Sequence, residues 1–169
     1  MGNRKSILIV GIGNEYRRDD GIGVAVARHL RSIMGENDAV DIVEVTDASN
    51  IIDMMMEMDY KKMIVIDALY SHTIGEVYRF RKEVLLNMDQ HLPHPSSTHA
   101  MDIVEAIRLA ETLGIAEDME VVMLCVGCKD FGLGKGLSRE LEESMESIVE
   151  EVIKEMNVMG DNRCMNLHS

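Results

Sequence analysis

The sequence predicts an α/β fold, a single domain built on a mostly parallel, twisted sheet of about five strands with helices on both faces. Short β-branched runs alternate along the chain with longer segments whose apolar residues recur once per helical turn. That alternation is the signature of buried parallel strands joined by crossover helices. The length of 169 residues also matches one domain. Residues 1–158 are expected to form it, and the polar residues 159–169 a flexible tail.

Residues 6–13 (SILIVGIG) form a near-continuous β-branched run closing on glycine, as a strand buried on both faces should. A polar stretch, 14–20, leads to a helix over 21–34, where Ile22, Val26, Leu30 and Ile33 share one face. Residues 41–46 read as a second strand, and 50–58 as a short apolar helix entered through Ser49 or Asn50. A third buried strand, 63–68 (MIVIDA), carries Asp67 at its carboxyl end. Residues 76–80 mix charge with Val77, Tyr78 and Phe80 and read as an edge strand. Pro93 and Pro95 make at least the second half of 85–97 a loop. Helix returns over 99–113, with Ile103, Ile107 and Ala110 on one face and Gly114 as its stop.

Residues 120–126 form the last strand, followed by a glycine-rich loop over 127–136. Ser138 then caps a helix with Leu141, Met145, Ile148, Val152 and Met156 along one side. The acids of that helix, from Glu140 to Glu155, read as its solvated face. Fifteen methionines against two phenylalanines and no tryptophan read as adaptable core filler.

Seventeen basic against thirty acidic residues leave a formal charge of −13. That field repels nucleic acid and anionic membrane surfaces, and it favours a basic patch on a protein client. No apolar run reaches the length of a membrane span, and the polar start does not read as a secretory signal. Three cysteines are too few and odd in number for a disulfide scaffold, so the expected compartment is the reducing cytoplasm.

Ligands of such a sheet bind beyond the carboxyl ends of its strands. The loop after the first strand, GIGNEYRRDDGIG, holds Gly11 and Gly13. A dinucleotide fingerprint would need its third glycine at position 16, which is Tyr16, and Asp19 and Asp20 oppose a pyrophosphate. The same acids suit a cation. Asp20 and Asp67, with Asp47 nearby and a histidine from among His72, His91, His94 and His99, would make an oxygen and nitrogen site for an ion such as Ni²⁺ or Zn²⁺. His99 opens a helix, whose N-terminus disfavours the imidazolium form and leaves the ring able to ligate. His29, mid-helix, and His168, in the tail, read as structural or exposed. Cys125-x-x-Cys128 lacks a second pair to complete a four-sulfur site, and it reads as one core and one loop cysteine. A nucleotide-binding module and a non-catalytic metal chaperone stand beside an enzyme as alternatives.

Four blocks, GIGNEYRRDDGIGVAVARHL, MIVIDAL, SSTHAMDIVEAIRLAETLG and GLGKGLSRELEESMESIVEEV, together resemble the hydrogenase maturation endopeptidases over residues 6–155. The resemblance implies a parallel-rich sheet between helices. It implies one cut that frees a C-terminal extension from the large-subunit precursor of a nickel–iron hydrogenase after nickel insertion. It implies that Asp20, Asp67 and His99 hold the precursor's nickel, with Zn or Cd able to take the same site. Asp19 and Asp47 then support that site or cap the chain locally. Two departures bear on substrate choice: Asp47-Ala48-Ser49 where the family is glycine-rich, and Gly127-Cys128-Lys129-Asp130 where it carries an acid and a proline.

Overall fold

The computed structural model describes residues 6–88 and 99–158, so His91, His94 and the expected tail lie outside the described residues. Five strands, β1 (Ile7–Ile12), β2 (Val40–Val45), β3 (Lys62–Tyr70), β4 (Val77–Arg81) and β5 (Glu120–Cys128), form one sheet. Their order is β2-β1-β3-β5-β4, parallel throughout except for β4, which runs antiparallel at the edge. Helices α1 (Ile22–Met34), α2 (Ile51–Glu57), α3 (Lys82–Asn87), α4 (Ala100–Thr112) and α5 (Arg139–Asn157) cover it. Among the described residues no helix is long and apolar enough to cross a membrane.

The two-residue period of the strands sorts the core into two layers. Along β3, Met63, Val65 and Leu69 join Ile51 and Met55 of α2, Leu85 of α3, and Ile103 and Ile107 of α4. Ile64, Ile66 and Ala68 point to the opposite face, among Ile22, Val26 and Leu30 of α1 and Leu141, Ile148 and Val152 of α5. Each fully buried branched side chain contributes about 1.5–3 kcal/mol of transfer free energy. Helix α1 lies unusually close to the sheet. A Cβ on Gly11 would stand 2.2 Å from the Gly23 carbonyl oxygen, and one on Gly23 would stand 2.2 Å from that of Ile66. Gly11 and Gly23 therefore serve helix-on-sheet packing, which explains the glycines of the first loop without a phosphate.

Several expectations need correction. Helix α3 occupies 82–87, where no helix was read: Lys82-Glu83-Val84-Leu85-Leu86-Asn87 is too short for its period to show. Ile33 is 56% exposed although it falls on the same helical face as Ile22, Val26 and Leu30; it stands in the last turn of α1. Cys128 is a buried end of β5 rather than loop. Cys125 and Cys128 pack in opposite layers of the sheet, so their sulfurs do not form a pair. Ser138 sits at the N-cap of α5 without capping it, and its hydroxyl donates to Asp19 instead.

Glu155 departs most from its expected place on the solvated face, since it is buried at 2% exposure. Its Oε1 lies 3.0 Å from Lys62 Nζ and its Oε2 accepts from Arg79 Nε at 3.1 Å. Lys62, itself buried, also donates to the carbonyls of Glu155 and Val158 at 2.6 and 2.8 Å. A buried acid persists because these donors compensate its lost hydration.

Candidate metal-recognition site

The chain leaves β1 toward β2 on one face and leaves β3 toward the other side of the sheet, so the crevice between β1 and β3 is the topological switch point. Both predicted carboxylates flank it. Asp20 lies in a 3-10 turn, Arg18–Gly21, directly after the β1 loop. Its Oδ2 accepts the Asn14 backbone N–H at 3.0 Å, and the side chain is almost fully buried. That turn crosses the strand end so closely that a Cβ on Gly13 would stand 2.0 Å from the Asp20 carbonyl oxygen. The G-x-G-N motif thus folds the acid-bearing turn back onto the strand.

Asp67 lies inside β3, which runs three residues beyond it to Tyr70. As an odd-numbered residue it faces α4, and there His99, the N-cap residue of that helix, meets it. His99 Nδ1 lies 3.2 Å from Asp67 Oδ1. A carboxylate only accepts, so Nδ1 carries the proton and the neutral ring places its lone pair on Nε2. This is a carboxylate–histidine pair, in which the acid sets the tautomer and orientation of the ring.

The hydrogen bond to Asp67 raises the His99 pKa above the ordinary histidine value against a lowering by burial, and the charges of Asp67, Asp20 and Asp102 raise it further. The lowering expected from the helix N-terminus is outweighed by the hydrogen bond to Asp67 and the charges of the three carboxylates. Asp102, one turn into α4, was missed in the sequence. Its three-residue spacing from His99 is the signal that marks it.

The remaining candidates are divided by the fold. Asp47 is exposed, and the Ser49 hydroxyl and amide hold its carboxyl below the usual range, with a smaller contribution from the charge of His99. It therefore caps the turn into α2 while standing in the electrostatic reach of the site. Asp19, beside Asp20, faces away from it. Its fully buried carboxylate accepts the amides of Ser138 at 2.7 Å and Asp130 at 3.2 Å and the Ser138 hydroxyl at 3.1 Å. His72 is exposed and stands edge-on to Tyr70 at 5.9 Å. Burial raises both thiols, Cys125 and Cys128, well above the ordinary cysteine value, with nearby aspartates adding to the shift. Among the described residues no three His, Cys, Asp or Glu side chains close on one point as a ready metal cage.

Beside Asp20 and Asp47 opens a cleft of about 450 Å³, bounded by Gly13, Asn14, Tyr16, Thr46, Asp47 and Met54. It lies along the carboxyl ends of β1 and β2.

A family model described as HycI, hydrogenase maturation protease, matches residues 24–155. This chain belongs to the hydrogenase maturation protease family. It is a peptidase, and its sheet and helices are those of the family's solved members. The matched span contains Asp67 and His99 and begins shortly after Asp20. A [NiFe] hydrogenase maturation protease, HybD, from Thermococcus kodakarensis is 26% identical, with a TM-score of 0.71 over 88% of this chain and 97% of the other. The E. coli hydrogenase maturating endopeptidase HybD superposes with a TM-score of 0.73 over 89% of this chain and 91% of its own, and at 20% identity that likeness speaks for the fold alone. A protein of Methanocaldococcus jannaschii, provisionally assigned as a hydrogenase maturation protease, is 27% identical over 161 residues, 90% of this chain and 97% of its own.

Proposed function

We propose that this peptidase removes the C-terminal extension of a nickel-loaded large-subunit precursor of a nickel–iron hydrogenase, and that it recognises the bound nickel through Asp20, Asp67 and His99. The observation that carries this reading is the Asp67–His99 contact at the switch point, with Asp20 on the adjoining loop. Two oxygens and one imidazole nitrogen suit a borderline divalent ion, which would take the place of the proton between Asp67 and His99 Nδ1 so that both side chains face it. Thiolates of the precursor supply the rest of the coordination, so the metal arrives as cargo and reports its own presence. Zn or Cd would fit the same donors. Drawn onto the arriving metal, the three side chains would set the precursor so that the scissile peptide lies beside the cleft, and positioning of this kind accounts for a large share of a hydrolytic rate.

The reading places the enzyme in the cytoplasm, as a domain of residues 1–158 with a tail of 159–169. Intact mass of the precursor, incubated with the protein with and without nickel, tests it. Trimming should need nickel and should disappear in Asp20→Asn and in His99→Ala. Trimming that survives in both variants would remove these residues from the site.

A further inference from the structure

The rim carries a second feature that nickel recognition does not use. The loop after β1 and the loop after β5 are tied together there. Arg18 N–H donates to the Gly134 carbonyl at 3.0 Å, and Gly134 N–H returns to that of Tyr16 at 2.9 Å. The Arg17 and Arg18 guanidinium groups donate to the carbonyls of Phe131 and Lys135. Arg18 is the one described non-glycine residue with a positive φ, 50°. Such a conformation costs free energy and persists only where its surroundings enforce it. The tied loops form a preorganised shelf, and on it Tyr16 is 64% and Leu133 82% exposed. Lys135 Nζ lies 4.8 Å from the centre of the Tyr16 ring.

The charge on this shelf runs against that of the molecule. The chain carries −13, and nearly every described lysine and arginine has a carboxylate within 4.0 Å. Among the described residues only Arg17, Arg18, Lys135 and the distant Arg108 do not, and the first three stand together here. The charge of Lys135 is felt at Glu15, which Arg28 already holds at 2.8 Å.

We propose that this shelf docks an acidic segment of the hydrogenase precursor, one carrying an apolar side chain that lies on Tyr16 and Leu133. The inference rests on the precursor being the client and adds a second grip beside the metal. Carboxylates arriving here meet cations that have no carboxylate within 4.0 Å among the described residues, and the exposed apolar surface is withdrawn from water in the same event. A basic segment is attracted by the whole-molecule field but repelled at the shelf. A second copy of this chain would bring another −13 toward the first.

Binding of fluorescently labelled, nickel-loaded precursor, measured alongside cleavage, tests the shelf separately from the reaction. Leu133→Asp with Lys135→Glu should weaken Kd by about tenfold or more, whereas Lys135→Arg should leave it within about twofold. Salt raised from ~0.05 to ~0.5 M should weaken the wild type more than the reversed variant, because screening removes an attraction that the variant lacks. Both residues are exposed, so an unchanged thermal midpoint excludes misfolding as the cause. Shelf-dependent binding without any trimming would overturn the catalytic reading and leave the shelf standing. Trimming with Kd equal in wild type and reversed variant would overturn the shelf alone, and no binding at all would overturn both. Loss of self-association in the reversed variant, with precursor affinity unchanged, would make a second copy the occupant and refute the proposal.

Discussion

Replacing Asp19 with alanine should destabilise the protein severely, although its neighbour Asp20 is the residue assigned to the metal. The Asp19 carboxylate joins the turn after β1 to the start of α5 through three hydrogen bonds, two of them from backbone amides. Alanine leaves those amides without their acceptor and removes an anion from beside the N-terminus of α5. Hydrogen bonds to a charged group contribute about 1.5–3 kcal/mol each. Three that share one carboxylate are not additive, so the expected loss is about 3–5 kcal/mol of a total of roughly 5–15. In a domain of this size each kcal/mol lowers Tm by about 2–4 °C, which predicts a fall of roughly 6–20 °C. Asp19→Asn keeps one acceptor oxygen and should fall between alanine and wild type. Asp20→Asn keeps an acceptor for the Asn14 amide and should lose trimming with a smaller fall in Tm than Asp19→Ala. Thermal unfolding by circular dichroism measures the series, and hydrogen exchange at the Asp130 and Ser138 amides localises it. A fall below about 2 °C in Asp19→Ala would refute the reasoning.

Lys62→Met should cost about 3–5 kcal/mol by chemical denaturation, because it takes a cationic partner from the buried Glu155 carboxylate and the donor from the Glu155 and Val158 carbonyls. Pairing it with Glu155→Leu should recover much of that loss, and simple addition of the two costs would contradict the coupling. The native protein should react with a thiol reagent at Cys125 and Cys128 only as fast as it unfolds, since burial holds both thiols protonated. Full labelling within seconds at neutral pH would contradict this. Burial, then the 2.6 Å hydrogen bond to Asp41, raises the Tyr60 phenol pKa. A raised pKa contributes stability that is whole below the unfolded tyrosine value near 10 and is lost as pH climbs above it. Ultraviolet titration should therefore show this phenol ionising only with alkaline unfolding, and Tyr60→Phe should remove that increment and about 1 kcal/mol at neutral pH.

What could be read from the amino-acid order depended on whether a feature is local. The runs around Ile9, Ile64 and Val122 are apolar on both sides, and only a strand covered on both faces accepts that pattern, so the parallel sheet was legible. Asp67 and the helix-opening His99 stood out as polar residues at the ends of apolar segments. Their 3.2 Å contact was not legible, because it depends on β3 and α4 meeting across 32 residues of chain. The same limit hid Glu155, whose partners Lys62 and Arg79 lie on β3 and β4. Its acidic type placed it among the solvated acids, although its spacing of seven residues from Ile148 and fourteen from Leu141 sets it beside the buried stripe, a signal in the period that could have found it. Cys125 and Cys128 look like a motif in one dimension. An odd residue separation along a strand sends their side chains to opposite layers.

The most direct test of the account is nickel-edge X-ray absorption on the nickel-loaded precursor, alone and bound to this protein. Binding should add oxygen and imidazole scattering to the metal's shell, and His99→Ala should remove the imidazole part while the complex still forms. A nickel environment that is the same in the free precursor and in the complex would contradict recognition through Asp20, Asp67 and His99.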